Sequence, residues 1–409
     1  MKALVLAGGL PQITLIKKLQ ERNITAILAD GNAHPLARPY ADQFYQVNIF
    51  DIEAVKKIAV DEKVDFLITC CADQVLLVVA QVSEMLGLPW YIDYETAVRV
   101  SDKRDMKRIF WENNIPTSRY VELKQLDWEK IRTLSYPMVV KPVDAYSSRG
   151  VRKVLNDEEL ETCFAEAAQI SRSGGVIVEE FCEGEEISVD IYVEDGKAHL
   201  LCVSNSEKIS DADRFIIFRG KYPAVANEAI LEQIQNVAQQ IADAFGLKNC
   251  PMLIQMIQDG KNVSVLEFCA RTGGNMKYIL IERVSGFDVI GAVIDLTMGI
   301  RPKVDIQPSA HHYVVNDFIY CKPGVFDHLE GFDELVEEGV LAEYHCLRPK
   351  GMVVRGVTSS SDRIAGFTIV ADTLEEFNRK HRIVVERARI IDENGVDIMR
   401  HDLLPDLTN

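Results

Sequence analysis

Short apolar runs alternate with amphipathic segments over the first hundred positions. Residues 2–7 predict a strand and 12–22 a helix. A second strand is expected at 25–29, ending at Asp30-Gly31, and a third at 43–47. A helix at 52–62, a strand at 66–70 and a helix at 74–86 complete the series. Brief buried strands separated by helices imply a parallel sheet covered on both faces.

The pattern changes near Ser101. A helix is expected at 102–113, stopped by Ile115-Pro116, then a compact strand at 138–141. A polar segment, 144–150, leads to a helix at 157–169 and strands at 176–180 and 187–193. A long helix at 228–245 precedes two apolar runs, 253–258 and 263–268, that flank Asp259-Gly260, a strong hairpin signal. This region reads as α+β with mostly antiparallel strands. The last hundred residues predict strands at 310–320, 352–358 and 366–371 and a helix at 374–391. Three domains follow: 1–100, 101–300 with a smaller lobe at about 115–185, and 301–409. The length of 409 residues agrees with two to three domains.

Charge narrows the partners. Lys and Arg number 45 against 62 Asp and Glu, a net charge of −17. Such a chain is a poor generic binder of nucleic acid, which needs clustered cations for counterion release. It is equally ill suited to an anionic membrane surface. A single nucleotide, however, needs only a few local cations. The N-terminal apolar run stops at Gly8-Gly9, too soon for a signal peptide, and the run at 75–82 is too short to span a bilayer. Nine cysteines fall without a CxxC pair or metal spacing, so reduced thiols and a cytoplasmic location are expected.

The chain has no GxxxxGK[ST] loop, full GxGxxG fingerprint, HExxH or GxSxG. Gly8-Gly9 is a fragment of a dinucleotide fingerprint, and a dehydrogenase reading rests on that fragment alone. Four other pieces carry more. Ser101-Asp102-Lys103 opens a helix. Residues 137–142 set Lys141 at the end of a buried strand, just before Ser147-Ser148-Arg149-Gly150. Glu179, Glu180, Cys182 and Glu186 surround a glycine turn. Glu267, Cys269 and Arg271 end the hairpin before Gly273-Gly274.

Together these suit a nucleoside triphosphate. Lys103 and Lys141 supply charge to phosphates. Ser147, Ser148 and the backbone near Gly150 can donate hydrogen bonds and close over them. Carboxylates at 179 and 186 can accept from an adenine amine and ribose hydroxyls. Gln255 and Glu267, across the hairpin, can point oxygens into one space, and hard Mg²⁺ takes oxygen ligands plus phosphates. Arg271 can stabilise a transferring phosphoryl group.

In this order the pieces resemble the ATP-grasp carboxylate ligases, which include biotin carboxylase, the carbamoyl-phosphate synthetase large subunit, glycinamide ribonucleotide synthetase and bacterial L-amino acid ligases. The L-amino acid ligase group is closest, its tail pattern echoed at 323–326, 331–335, 351–353 and 366–370. The resemblance implies an ATP-grasp fold with an N-terminal Rossmann-like, parallel-sheet domain and a strand-rich C-terminal extension. It places Lys103 and Lys141 on ATP phosphates, with Ser147, Ser148 and Gly150 in the lid, here poor in glycine. Glu179 matches the acid beside the adenine amine, with the backbone of Glu180 and Cys182 at the adenine edge, and Glu186 matches the ribose acid. Gln255, Glu267 and Cys269 fall at the positions for Mg²⁺ or Mn²⁺. Arg271, and more weakly Lys208, match contacts to the reacting groups.

The resemblance implies an ATP-dependent carbon–nitrogen ligase that joins a small carboxylate to an amine through an acyl phosphate. Amino acids are the expected substrates, and a homodimer is expected by analogy. Two positions depart from the pattern: Cys269 replaces the usual Asn, and Gln255 stands where an acid is common. A soft thiol is a poor partner for Mg²⁺. An ATP-binding protein without ligase activity, acting in sensing or as a scaffold, is the alternative. The pair His311-His312 and the Asp73-Gln74 turn are further candidates for the acceptor side.

Overall fold

The computed structural model describes residues 1–145, 149–209 and 215–407. At the N-terminus, β1 (Lys2–Leu6), β2 (Thr25–Asp30), β3 (Gln43–Gln46) and β4 (Phe66–Ile68) form a parallel sheet in the order β3-β2-β1-β4. Helix α1 (Leu10–Glu21) joins β1 to β2, α2 (Ile52–Glu62) joins β3 to β4, and α3 (Asp73–Leu86) follows β4. The fully buried Leu4, Ile27 and Leu67 explain why these strands read as unbroken apolar runs. The turns after β1 and β4 lie at the strands' C-terminal ends, where open α/β sheets place ligands.

Helices α4 (Tyr94–Ser101) and α5 (Lys103–Glu112) follow. Strands β5 (Tyr120–Leu123), β6 (Met138–Pro142), β7 (Arg152–Val154) and β8 (Val176–Glu180) make a small antiparallel sheet ordered β5-β8-β6-β7. A tight turn at Gly184 leads out of it. Gly184 has φ of 134°, and a Cβ there would sit 2.3 Å from the Gln258 carbonyl oxygen, so only glycine fits.

The largest sheet takes β9 (Glu185–Glu194), β10 (Lys197–Lys208), β11 (Ile217–Tyr222), β12 (Cys250–Gln258) and β13 (Val263–Cys269). Beyond it the chain alternates between two sheets through β14 (Tyr313–Ile319), β15 (Gly324–Glu330), β16 (Glu343–Cys346), β17 (Val353–Val354), β18 (Ala365–Ala371) and β19 (Arg389–Asp392). The large sheet runs β13-β12-β9-β10-β11-β14-β18-β16, and β17-β15-β19 form the third. A cut near residue 300 therefore divides one sheet, because β11 pairs directly with β14.

Several elements differ from the sequence reading. β10 and β11 escape it because polar residues interrupt their apolar alternation. The strand expected at 352–358 shrinks to Val353–Val354. The last helix ends at Arg387, and Ala388 turns extended so that β19 can pair with β15. Its apolar run suits either period, and tertiary pairing decides. His311 and His312 precede β14 rather than lying on it.

One aromatic cluster matters for the site. Phe110 of α5, Phe245 of the helix Glu228–Phe245 and Phe268 of β13 are buried, with centroids 4.5–6.1 Å apart. Edge-on and tilted ring packing of this kind fixes relative geometry. It locks α5, which carries two lysines, to β13, which carries Glu267 and Cys269.

Candidate active site

Asp102 caps α5 by accepting from the Arg104 N–H at 2.8 Å. Lys103 and Lys107 then lie one turn apart on the same face. Lys103 Nζ is 3.0 Å from Glu267 Oε2 and donates to the Ala145 carbonyl at 3.0 Å. Burial opposes its charge, but Glu267 outweighs burial and raises its pKa. Lys107 is fully buried. Its Nζ sits 2.7 Å from Glu179 Oε2 and donates to the Thr117 and Ser118 hydroxyls. Lys141 Nζ reaches the other oxygen of Glu179 at 2.5 Å, and Ser118 donates to Oε2 at 2.7 Å. Burial disfavours the Glu179 carboxylate, but the two ammonium groups dominate and hold its pKa at about 2. Lys107 is pushed down by burial, with Lys141 adding to the effect against the pull of Glu179. Two cations on one anion leave this buried spot net positive within an acidic chain.

Glu186 closes a second cluster. Gln255 Nε2 donates to Glu186 Oε1 at 3.1 Å, and Lys208 Nζ is 2.5 Å from Oε2. Lys208 also lies 5.0 Å from the Phe215 ring centroid. Glu180 points elsewhere: its carboxylate accepts from the Ser135 N–H at 2.9 Å, and its N–H donates to the Arg119 carbonyl. Cys182 Sγ donates to Ser264 Oγ at 3.5 Å.

The third cluster joins the N-terminal sheet to the hairpin. Arg271 Nε donates to Asp73 Oδ1 at 2.7 Å, its Nη2 pairs with the same oxygen, and Nη1 donates to the Thr272 carbonyl at 2.6 Å. Burial raises the Asp73 pKa, but Arg271 and a hydrogen bond with Cys269 lower it overall. The Cys269 thiol is pushed well up, by burial first and by the Asp73 charge second, so it stays protonated.

A cavity of about 700 Å³ connects these parts. Lys103, Gln255, Glu267, Cys269 and Arg271 line it, with Asp73-Gln74 and Gly8-Gly9 on the N-terminal side. Lys141, Glu179, Glu180, Cys182, Glu186 and Lys208 do not form its wall; the tight pairing of Lys141 with Glu179 and of Lys208 with Glu186 turns those heads toward each other. Gly150 has φ of 73° and packs on Ile170 and Pro142. Ser147 and Ser148 lie outside the described residues. His311 bonds Asp372 at 3.1 Å near the surface, and neither it nor His312 lines the cavity.

Residues 134–278 match the family model of the ATP-grasp domain. The chain carries an ATP-grasp domain. The rest of the molecule has the corresponding fold: its structure resembles that of an L-amino acid ligase from Bacillus licheniformis, with a TM-score of 0.80 at 18% identity over 96% of this chain and 99% of that one. Among curated relatives, the carbamoyl phosphate synthase large chain of Clostridium acetobutylicum is 21% identical over 309 residues, 73% of this chain. A D-alanine–D-alanine ligase of Geobacillus thermodenitrificans is 30% identical over 178 residues, 40% of this chain. The matches span 28% and 47% of those two relatives' own lengths.

The ATP-grasp positions bear on metal binding. Among the described residues no three His, Cys, Asp or Glu side chains cluster as a ready cage. Mg²⁺ ordinarily takes one or two carboxylates plus substrate phosphates. Glu267 and the amide oxygen of Gln255, whose Nε2 rather than its oxygen bonds Glu186, fit that role. Cys269 does not, being soft, protonated and bonded to Asp73.

Sequence reasoning missed Lys107, and also Lys277, whose Nζ donates to Ser204 Oγ at 2.6 Å and lies 3.2 Å from Asp190 in the cavity wall. Lys107 stands four residues after Lys103 among the buried residues of α5, but a lysine in an amphipathic helix is ordinarily solvated, so the spacing alone does not single it out. Lys277 follows the Gly273-Gly274 turn, but nothing in its spacing marks it. Among the described residues no helix is long and apolar enough to cross a membrane.

Proposed function

We propose that this protein is an ATP-dependent ligase that activates a small-molecule carboxylate as an acyl phosphate and couples it to an amine. The supporting observation is the convergence of Lys103, Gln255, Glu267 and Arg271 on one cavity within an ATP-grasp fold. ATP lies between the small and large sheets in this reading. Lys103 in the cavity wall orients the phosphates, the net-positive Lys107–Lys141–Glu179 unit adds its field, and Glu186 serves the ribose in this reading. When bound by Glu267 and Gln255, Mg²⁺ or Mn²⁺ supplies charge neutralisation on the phosphates.

The substrate carboxylate oxygen attacks the γ-phosphorus, and the bond to the ADP oxygen breaks. Arg271, fixed by Asp73, stabilises charge on the transferring group. The amine then attacks the acyl carbon and phosphate leaves. Water must be kept from the acyl phosphate for this reaction to be productive. Amino acids as the substrate pair, a homodimer and three domains cut near 100 and 300 belong to the same reading, with the last two sharing a sheet.

ADP release over a panel of carboxylates, with hydroxylamine to trap the acyl phosphate as a hydroxamate, tests it. Carboxylate-dependent release and hydroxamate are expected, and both vanish in Glu267→Gln while circular dichroism stays unchanged. Cys269 favours the second reading, an ATP-binding protein without ligase activity. Tight ATP binding with no stimulated release by any carboxylate would select it.

A further inference from the structure

Most buried arginines of this chain meet a carboxylate. Arg219 pairs with Asp317 and Arg271 with Asp73. Arg348 and Arg363, both in the wall of the same cavity, form no ion pair among the described residues. Arg363 is buried, stacked with its guanidinium carbon 3.8 Å from the Phe318 ring centroid. Its Nε donates to the Tyr320 hydroxyl at 3.2 Å and its Nη2 to the Ile217 carbonyl at 2.9 Å. Arg348 donates to the carbonyls of Ser361 and Leu347, and its Nε is shielded from solvent without a hydrogen-bond partner.

An orphaned buried guanidinium N–H is costly unless something else accepts from it. Asp362, whose charge acts on Arg348, is committed to its own turn, accepting from the N–H groups of Thr358 and Ser359 and from the Thr358 hydroxyl. Burial lowers the pKa of Arg348, Asp362 partly offsets that, and the charge of Arg363 lowers it further. The two guanidiniums thus sit in each other's field. Ser360 and Ser361 line the cavity beside them. A guanidinium pair facing this cavity, with no ion-pair partner among the described residues, fits an external anion.

We propose that the substrate carries a second anionic group, a carboxylate or phosphate remote from the reacting carboxylate, and that Arg348 and Arg363 seat it. The reading rests on the ligase function proposed above, since Glu267 and Arg271 line the same cavity. A substrate spanning it is held at both ends, with the remote end setting specificity. Neutral-tailed carboxylates of equal size bind less well because both guanidiniums stay uncompensated.

Calorimetry on the full chain with a non-hydrolysable ATP analogue and Mg²⁺ tests this with two matched pairs: glutarate against its monoamide, and O-phosphoserine against serine. The dianionic member of at least one pair binds at least tenfold tighter, and the pair that shows it tells carboxylate from phosphate. Arg348→Gln, half-buried and tolerable to the fold, removes that preference while leaving affinity for the ATP analogue unchanged. If Arg363→Gln does not fold, Arg348→Gln alone decides. Equal binding within both pairs, no binding by any probe, or an unchanged preference in Arg348→Gln overturns the proposal. Charge-selective binding without ADP release keeps the anion seat and removes the ligase reading instead.

Discussion

Lys107 Nζ lies 2.7 Å from Glu179 Oε2, and neither residue is more than 3% exposed. Since Lys141 holds the other oxygen, the three charges form one unit that ties α5 to β6 and β8. The unit tolerates loss of a cation better than loss of the anion. Lys107→Met leaves a matched Lys141–Glu179 pair, whereas Glu179→Leu leaves two buried ammonium groups facing each other. Removing the sole partner of a buried charge costs about 3–5 kcal/mol. Urea unfolding is expected to place Glu179→Leu in that range and Lys107→Met well below it. Equal losses would show that the charges do not act as a unit.

The same unit makes a pH prediction. Glu179 ionises at about 2 in the folded chain, against an ordinary value of 4.5. A depressed carboxylate contributes stability fully above its unfolded pKa and loses it as the pH falls through the folded one. The stability gap between wild type and Glu179→Gln is therefore constant above about pH 5 and narrows progressively from about 4.5 towards 2. Urea midpoints of both proteins at pH 7, 5, 4 and 3 check this; a gap that widens on acidification contradicts it.

Asp73 makes no contact expected of a chemical group, yet it fixes Arg271 through Nε. Asp73→Asn keeps an acceptor oxygen but removes the charge, so Arg271 is held less firmly. Turnover is expected to fall about tenfold, roughly 1.4 kcal/mol of barrier, with ATP affinity little changed. Steady-state kinetics paired with nucleotide titration separate the two. A loss confined to ATP affinity would place Asp73 on nucleotide binding instead.

How far the sequence reached depends on what set each position. Gly8-Gly9, Lys141, Glu179 and Glu267 stand at or beside the ends of short apolar strands, where local pattern alone places them. Lys103 opens a helix behind a capping Asp and was equally readable. Lys107 was not, because a lysine in an amphipathic helix is ordinarily solvated, and only the packing of Phe110 on Phe268 turns it inward. Arg348 and Arg363 belong to loops without periodicity. Their place in the cavity comes from β16 pairing with β18 and β18 with β14, contacts remote in sequence. The split sheet was hidden for the same reason: the pairing of β11 with β14 joins segments nearly a hundred residues apart.

Cys269 decides how closely this site follows the carboxylate-ligase pattern. Its thiol is protonated and bonded to Asp73, so it serves the Arg271 anchor rather than a hard cation. An amide at 269 can do both, since its N–H₂ donates to Asp73 while its oxygen faces the cavity. Cys269→Asn is therefore expected to keep the Asp73–Arg271 contact and add a hard oxygen beside Glu267. The Mg²⁺ concentration that half-saturates tight ATP binding, read by calorimetry, should fall several-fold, and Mn²⁺ should show a smaller change because it tolerates softer surroundings. Cys269→Ala removes the thiol without adding the oxygen, so it should loosen Arg271 and lower turnover without changing the Mg²⁺ requirement. If Cys269→Asn and Cys269→Ala shift the Mg²⁺ requirement alike, the residue acts through packing alone and the metal is held entirely by Glu267, Gln255 and the phosphates.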